Sequence, residues 1–112
     1  MKETQKRLRL SGGELLSRAE INRRNDPTKK VKESVDLLSP KNLTGPVSRV
    51  RAIINSTTAY EDRIWVKVGA EIERPCMFGE EEECLDKCYE MAADKVKGEL
   101  AEALEIIKRL AL

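Results

Sequence analysis

The stretch Arg63-Ile-Trp-Val-Lys-Val-Gly-Ala-Glu-Ile-Glu73 (RIWVKVGAEIE) decides the fold. Its apolar residues fall on every second position, at Ile64, Val66, Val68, Ala70 and Ile72, the period of a strand buried on one face. The opposite face carries Arg63, Trp65, Lys67, Gly69, Glu71 and Glu73. The chain's single tryptophan therefore stands between cations, on the side away from the core. Pro75, which cannot donate to a ladder, is expected to end the strand.

Upstream, Val47-Ser-Arg-Val-Arg-Ala-Ile-Ile-Asn55 alternates in the same way. Val50, Ala52 and Ile54 face one side; Arg49, Arg51 and Ile53 face the other. Ser56 to Asp62 reads as a seven-residue connection containing Tyr60, so the two strands are expected to form an antiparallel hairpin. Before it, residues 39–46 are loop by composition. Asp26-Pro27 is a helix-start signal, and Val31, Val35 and Leu38 follow at helical spacing. A short N-terminal helix is expected over about 27–38, with Lys29, Lys30 and Lys32 near its exposed side. Residues 1–25 read as a basic, partly disordered arm, in which Leu15, Leu16 and Ala19 allow two helical turns. Residues 26–112 then make a single small α+β domain.

Downstream, Leu85, Tyr89, Ala92, Val96, Leu100, Ala103, Ile107 and Leu110 recur at three- and four-residue steps. That is one apolar stripe of a long helix over about 80–111, with Glu80 to Glu83 at its positive end and Lys108 and Arg109 at its negative end. Such a helix runs ~45 Å at ~1.5 Å per residue, longer than a small domain needs. The excess predicts a homodimer with a partner helix along Val96, Leu100, Ala103, Ile107 and Leu110. Gly98 marks a bend or a close crossing. The expected fold is thus α+β: a short helix, then an antiparallel hairpin packed on a long C-terminal helix.

Composition sets the scale. With 112 residues, 40% hydrophobic and 37% charged, the core is modest and oligomerisation would help it. The abundance of Glu, Lys and Arg is a trait of thermophile proteins. The net charge of +1 hides an asymmetry. Residues 1–51 hold 13 Lys/Arg against 6 Asp/Glu, a balance of +7, and the remainder hold 8 against 14, a balance of −6. A basic front half suits a polyanion or the acidic back half. No apolar run approaches the ~20 residues of a membrane span, and no apolar segment follows the basic start, so a cytoplasmic protein is expected.

Histidine is absent, removing the commonest general base and zinc nitrogen ligand. No nucleophile elbow, phosphate loop or dinucleotide fingerprint is present, so neither enzyme activity nor a cofactor is expected. Cys76, Cys84 and Cys88 read as small buried hydrophobes, as a disulfide from Cys76 to either partner, or as thiolates for a metal that would lack a fourth ligand. The hairpin face is the remaining lead. Arg49, Arg51, Arg63 and Lys67 offer charge for phosphates, while Trp65 and Tyr60 offer rings for unstacked bases. Lys29, Lys30 and Lys32 would extend that footprint. The alternative is that Trp65 packs beneath the N-terminal helix or at a dimer contact.

Over residues 47–112, the stretch Tyr60 to Glu71 and the zipper-like stripe from Leu85 to Leu110 resemble the ThermoDBP type of archaeal single-stranded DNA-binding proteins. They also resemble short proteins of phage and archaeal-virus DNA handling. The resemblance implies a small sheet on helices, a helical dimer, and a single strand in a groove with an apolar floor and basic rim. It would place Trp65 with Arg49, Arg51, Arg63 and Lys67 in that groove. The expected function is non-catalytic binding of single-stranded nucleic acid, DNA rather than RNA. The alternative is a protein-interaction or assembly module, a viral accessory or structural subunit, that uses the long helix.

Overall fold

The computed structural model describes residues 8–10, 12–24, 30–43, 45–61 and 64–110. In chain order these form β1 (Leu8–Leu10), β2 (Glu14–Arg23), β3 (Lys30–Leu37), β4 (Lys41–Leu43), β5 (Val47–Glu61), β6 (Ile64–Met77) and α1 (Glu81–Leu110). Four strands make one antiparallel sheet in the order β3-β2-β6-β5, and β1 pairs with β4 in a separate ribbon. The α1 helix covers one face of the sheet, lying mainly over β5 and β6 and less over β2. The class is α+β, with the antiparallel β5–β6 hairpin packed against the long C-terminal helix.

The alternation in β6 forms as its sequence dictates: Ile64, Val66, Val68, Ala70 and Ile72 are all buried beneath α1. The helix presents Cys88, Ala92, Val96, Ala103 and Ile107 to them, each buried. Its first hydrogen bond runs from Cys84 N to Glu80 O at 3.0 Å. The Glu81 carboxylate accepts from Gly79 N–H at 2.7 Å and from Ser48 Oγ at 3.1 Å, tying the start of α1 to the start of β5. The Gly79 N–H first of all, then Glu81's own N–H, holds that carboxyl below its ordinary range.

Three expectations are corrected. The helix over 27–38 is absent among the described residues, and Lys30–Leu37 is instead an edge strand paired with β2. Val31 and Val35 lie four apart, a spacing that an alternating strand also satisfies, and pairing with β2 settles which period applies. The Asp26-Pro27 start signal lies outside the described residues. Next, residues 14–23 of the expected arm form an inner strand paired on both sides, and Leu15, Leu16 and Ala19 are not helical. The inward row of β2 is Leu15, Ser17, Ala19 and Ile21, and its serine and alanine blur the alternation. Gly13 turns the chain into this strand at φ 93°, where a Cβ would lie 1.8 Å from the Glu73 carbonyl oxygen.

The third correction concerns length. The expected loop at 56–62 is mostly strand, since β5 continues to Glu61, with one irregularity between Ala59 and Glu61. Nor does β6 end at Pro75: it runs on to Met77, with Pro75 opposite Arg49. β6, with 14 residues, spans ~46 Å at ~3.3 Å per residue, which matches the ~45 Å of the 30-residue α1. The helix is long because the hairpin is long. Val96, Ala103 and Ile107, assigned to a partner helix, are buried against the chain's own sheet. Leu100 is half-buried, and the Leu110 side chain lies outside the described residues. Gly98 sits on the solvent side of α1, where a Cβ would meet nothing within 4 Å, so it marks no close crossing.

Candidate functional site

The sheet face opposite α1 is open. It is built from alternate residues of all four strands, and the register fixes their rows. Ala59, Trp65 and Asn22 share one row; Thr57, Lys67, Glu20 and Val31 the next; Asn55, Gly69, Arg18 and Glu33 a third. Ile53, Glu71, Leu16 and Val35 follow, then Arg51, Glu73, Glu14 and Leu37. Trp65 is half-buried and Lys67 is exposed.

This register divides the residues the sequence had grouped. Arg51 lies opposite Glu73, eight residues from Trp65, or ~26 Å along the strand at ~3.3 Å per residue. Arg49 lies one row further. Both arginines face carboxylates of β6: Arg51 pairs with Glu71, and Arg49 Nη1 lies 3.6 Å from Glu73 Oε1. They close ion pairs at one end of the face instead of extending a site around Trp65. Tyr60, at the irregular end of β5, shares the Trp65 end of the hairpin and is 37% exposed. Arg63 and Lys29 lie outside the described residues. Lys30 and Lys32 occupy the helix-facing side of β3, where Lys32 Nζ binds Glu102 Oε2 at 2.6 Å and Glu99 Oε1 at 3.3 Å. These lysines are no part of the open face.

Between the two ends runs a double trough. One part, about 320 Å³, is walled by Leu16, Val35 and Ile53, with Gly69 in its floor. The adjoining part, about 400 Å³, is lined by the polar side chains of Arg18, Glu20, Asn55, Thr57 and Lys67. Gly69 makes the notch: a Cβ there would stand 2.5 Å from Asn55 Oδ1. Arg18 is held by Glu20 at 2.6 Å and by Glu33, and Glu20 foremost raises its pKa. Lys67 has no ion pair among the described residues. Among the described residues of this face, cations Arg18, Arg49, Arg51 and Lys67 stand against Glu14, Glu20, Glu33, Glu71 and Glu73, a balance of −1. Sequence patterning leaves Arg18 and Thr57 hidden as lining residues, since 1–25 reads as an arm and 56–62 as a connection, whereas Gly69 falls on the outward face that the alternation of β6 predicts.

The three cysteines are free. Cys76 and Cys88 are buried where β6 meets the start of α1, and Cys84 is half-buried. Burial, followed by the neighbouring Cys84 thiol, pushes the Cys76 thiol up to about 11. Burial also raises Cys88. No group of three or more metal-ligating side chains is assembled among the described residues, and no helix among them is long and apolar enough to cross a membrane. Compared with protein-family models, curated proteins and solved structures, the chain gives no match.

Proposed function

We propose that the open face binds single-stranded nucleic acid, DNA in the first instance, without catalysis. The observation that carries this reading is Trp65 standing on that face two residues from Lys67, a cation with no ion pair among the described residues. An indole on a sheet surface stacks an unpaired base for ~1–3 kcal/mol, and a nearby ammonium holds a phosphate. The polar trough beside Lys67 supplies Asn55 and Thr57 for hydrogen bonds to bases or sugars. A duplex reader would present a helix for the major groove, but here α1 lies on the other side of the sheet.

Because Arg18, Arg49 and Arg51 are already paired with carboxylates, few phosphates are neutralised. The salt dependence is therefore shallow, with log K against log salt falling by ~0.7 per phosphate engaged. Titration of tryptophan fluorescence with a single-stranded oligonucleotide tests the reading: quenching that saturates supports it, and an unchanged spectrum contradicts it.

A second reading rests on the near-neutral charge of the same face. The trough walled by Leu16, Val35 and Ile53 suits apolar side chains of a protein partner, which would make the chain an interaction module. Oligonucleotide titration separates the two, since a protein-binding face leaves the fluorescence unaffected.

A further inference from the structure

We infer that two copies of this chain join through the free edge of β5, forming one eight-stranded sheet with the two α1 helices side by side. The two edges of the sheet are unlike. The β3 edge, KVKESVDL, carries Lys30, Lys32, Glu33 and Asp36 in eight residues, the charge that keeps an edge from pairing. The β5 edge, Val47–Glu61, holds an uncharged stretch from Ala52 to Tyr60, AIINSTTAY, nine residues with no glycine and no proline, with Arg49, Arg51 and Glu61 only at its ends. Among the described residues no strand pairs with its outer side. A long, uncharged edge rich in β-branched residues is a template for another strand.

The helix supports a second copy as that strand's owner. Ion pairs from Lys32 to Glu99 and Glu102, and from Asp36 to Lys95, fix which flank of α1 faces β3. At ~100° per residue, Tyr89, Ala93, Leu100 and Leu104 lie ~140–200° around the helix from Glu102, on the flank beyond β5. From Tyr89 to Leu104 that flank is apolar, with Glu82 and Asp86 on it only nearer the start of α1: Tyr89 is 47% exposed, and Ala93, Leu100 and Leu104 are half-buried. Antiparallel β5–β5′ pairing about a two-fold axis keeps both helices on the same face of the joined sheet. With strands ~4.8 Å apart and each helix above its own β5–β6 pair, the helix axes come to ~10 Å, the distance at which helices pack. An unrelated strand would leave this flank uncovered. The antiparallel sense also keeps the two Arg49–Arg51 ends apart. Leu100 thus keeps a role at a helix contact, one set by the sheet edge instead of by the buried stripe.

Light scattering on the intact chain tests the inference. The wild type is expected at about 25 kDa, twice the 12.7 kDa chain. Asn55→Lys/Thr57→Lys adds lysines at two exposed positions of the edge that would oppose each other across the axis, and is expected at the mass of one chain with its far-UV circular dichroism unchanged. Should that variant fail to fold, Tyr89→Lys on the helix flank is expected to raise the dimer dissociation constant at least tenfold. Val31→Lys/Val35→Lys, on the other edge, is expected to leave the dimer intact. A wild type that remains at one chain mass at ~100 μM overturns the inference, as do a folded Asn55→Lys/Thr57→Lys variant that still dimerises and a Tyr89→Lys variant with unchanged dissociation.

Discussion

Trp65 and Arg51 stand on the same open face of the sheet yet ~26 Å apart, because antiparallel pairing sets Arg51 opposite Glu73 and Trp65 opposite Ala59. The aromatic residue and the arginines therefore cannot act on one nucleotide. They can act together only on a strand that follows the whole length of the face, and there the arginines already hold Glu71 and Glu73.

This separation predicts unequal effects in oligonucleotide titrations. Arg51→Gln is expected to change affinity less than about twofold, since its charge is balanced within the protein. Lys67→Gln is expected to weaken binding several-fold and to reduce the salt slope by ~0.7, the loss of one phosphate contact to a single strand. Equal losses from the two variants would mean that Arg51 leaves Glu71 to bind ligand.

Glu99 predicts a stability effect. It is 6% exposed, and its carboxylate lies 3.3 Å from Lys32 Nζ and 3.4 Å from Lys95 Nζ, joining β3 to α1. Glu99→Gln keeps the shape and removes the charge, and is expected to destabilise the chain by ~1–3 kcal/mol. Urea unfolding measures this, and hydrogen exchange should quicken first in β3, whose contact with the helix depends on these pairs.

Two carboxylates and two thiols set the pH limits. Glu102 is held low first by the hydrogen bond from Lys32, and Glu81 first by that from Gly79 N–H. Their folded pKa values lie below the ordinary 4.5, so their stabilisation is present above that value and is lost as pH falls through the folded values. Cys76 behaves oppositely. Raised from 9.0 to about 11, its contribution is complete below pH 9 and is lost between pH 9 and 11. Thermal melts should show both declines, and Cys76→Ser should lessen the alkaline one, Cys88 keeping its share because burial raises it too.

Gly98 gives a prediction of opposite sign. It lies within α1 on the solvent side with open space around it, so Gly98→Ala is expected to stabilise the chain by ~0.5–1 kcal/mol. A loss of stability on chemical denaturation would show that the position has a packing partner.

What could be read from the sequence depended on how strictly each element kept its period. Ile64 to Ile72 alternate without exception, and the stripe from Leu85 to Ile107 holds for six turns, so the hairpin and α1 were legible. The β2 and β3 strands were not. Ser17 and Ala19 stand on the inward row of β2, while Leu16, Val31 and Val35 are apolar on the open face, and neither strand shows a clean pattern. On the open face the alternation of β6 made Trp65 and Lys67 legible, but not the separation of Arg51 from Trp65. A seven-residue connection at 56–62 would set Arg51 opposite Lys67, beside Trp65. Continuing β5 through Ser56, Thr57 and Thr58 shifts the register by six residues and sends Arg51 to Glu73. Polar β-branched residues read as loop when alone and pair as strand once β6 lies beside them.

The central claim is that Trp65 is a stacking platform on the open face. Titrating intrinsic fluorescence with a single-stranded oligonucleotide, in the wild type and in Lys67→Gln, tests it directly, because Trp65 is the chain's only tryptophan. A parallel binding isotherm for Trp65→Ala completes the test. The account predicts saturable quenching in the wild type and a loss of ~1–3 kcal/mol in the folded Trp65→Ala variant. No quenching, or unchanged affinity in Trp65→Ala, would contradict it.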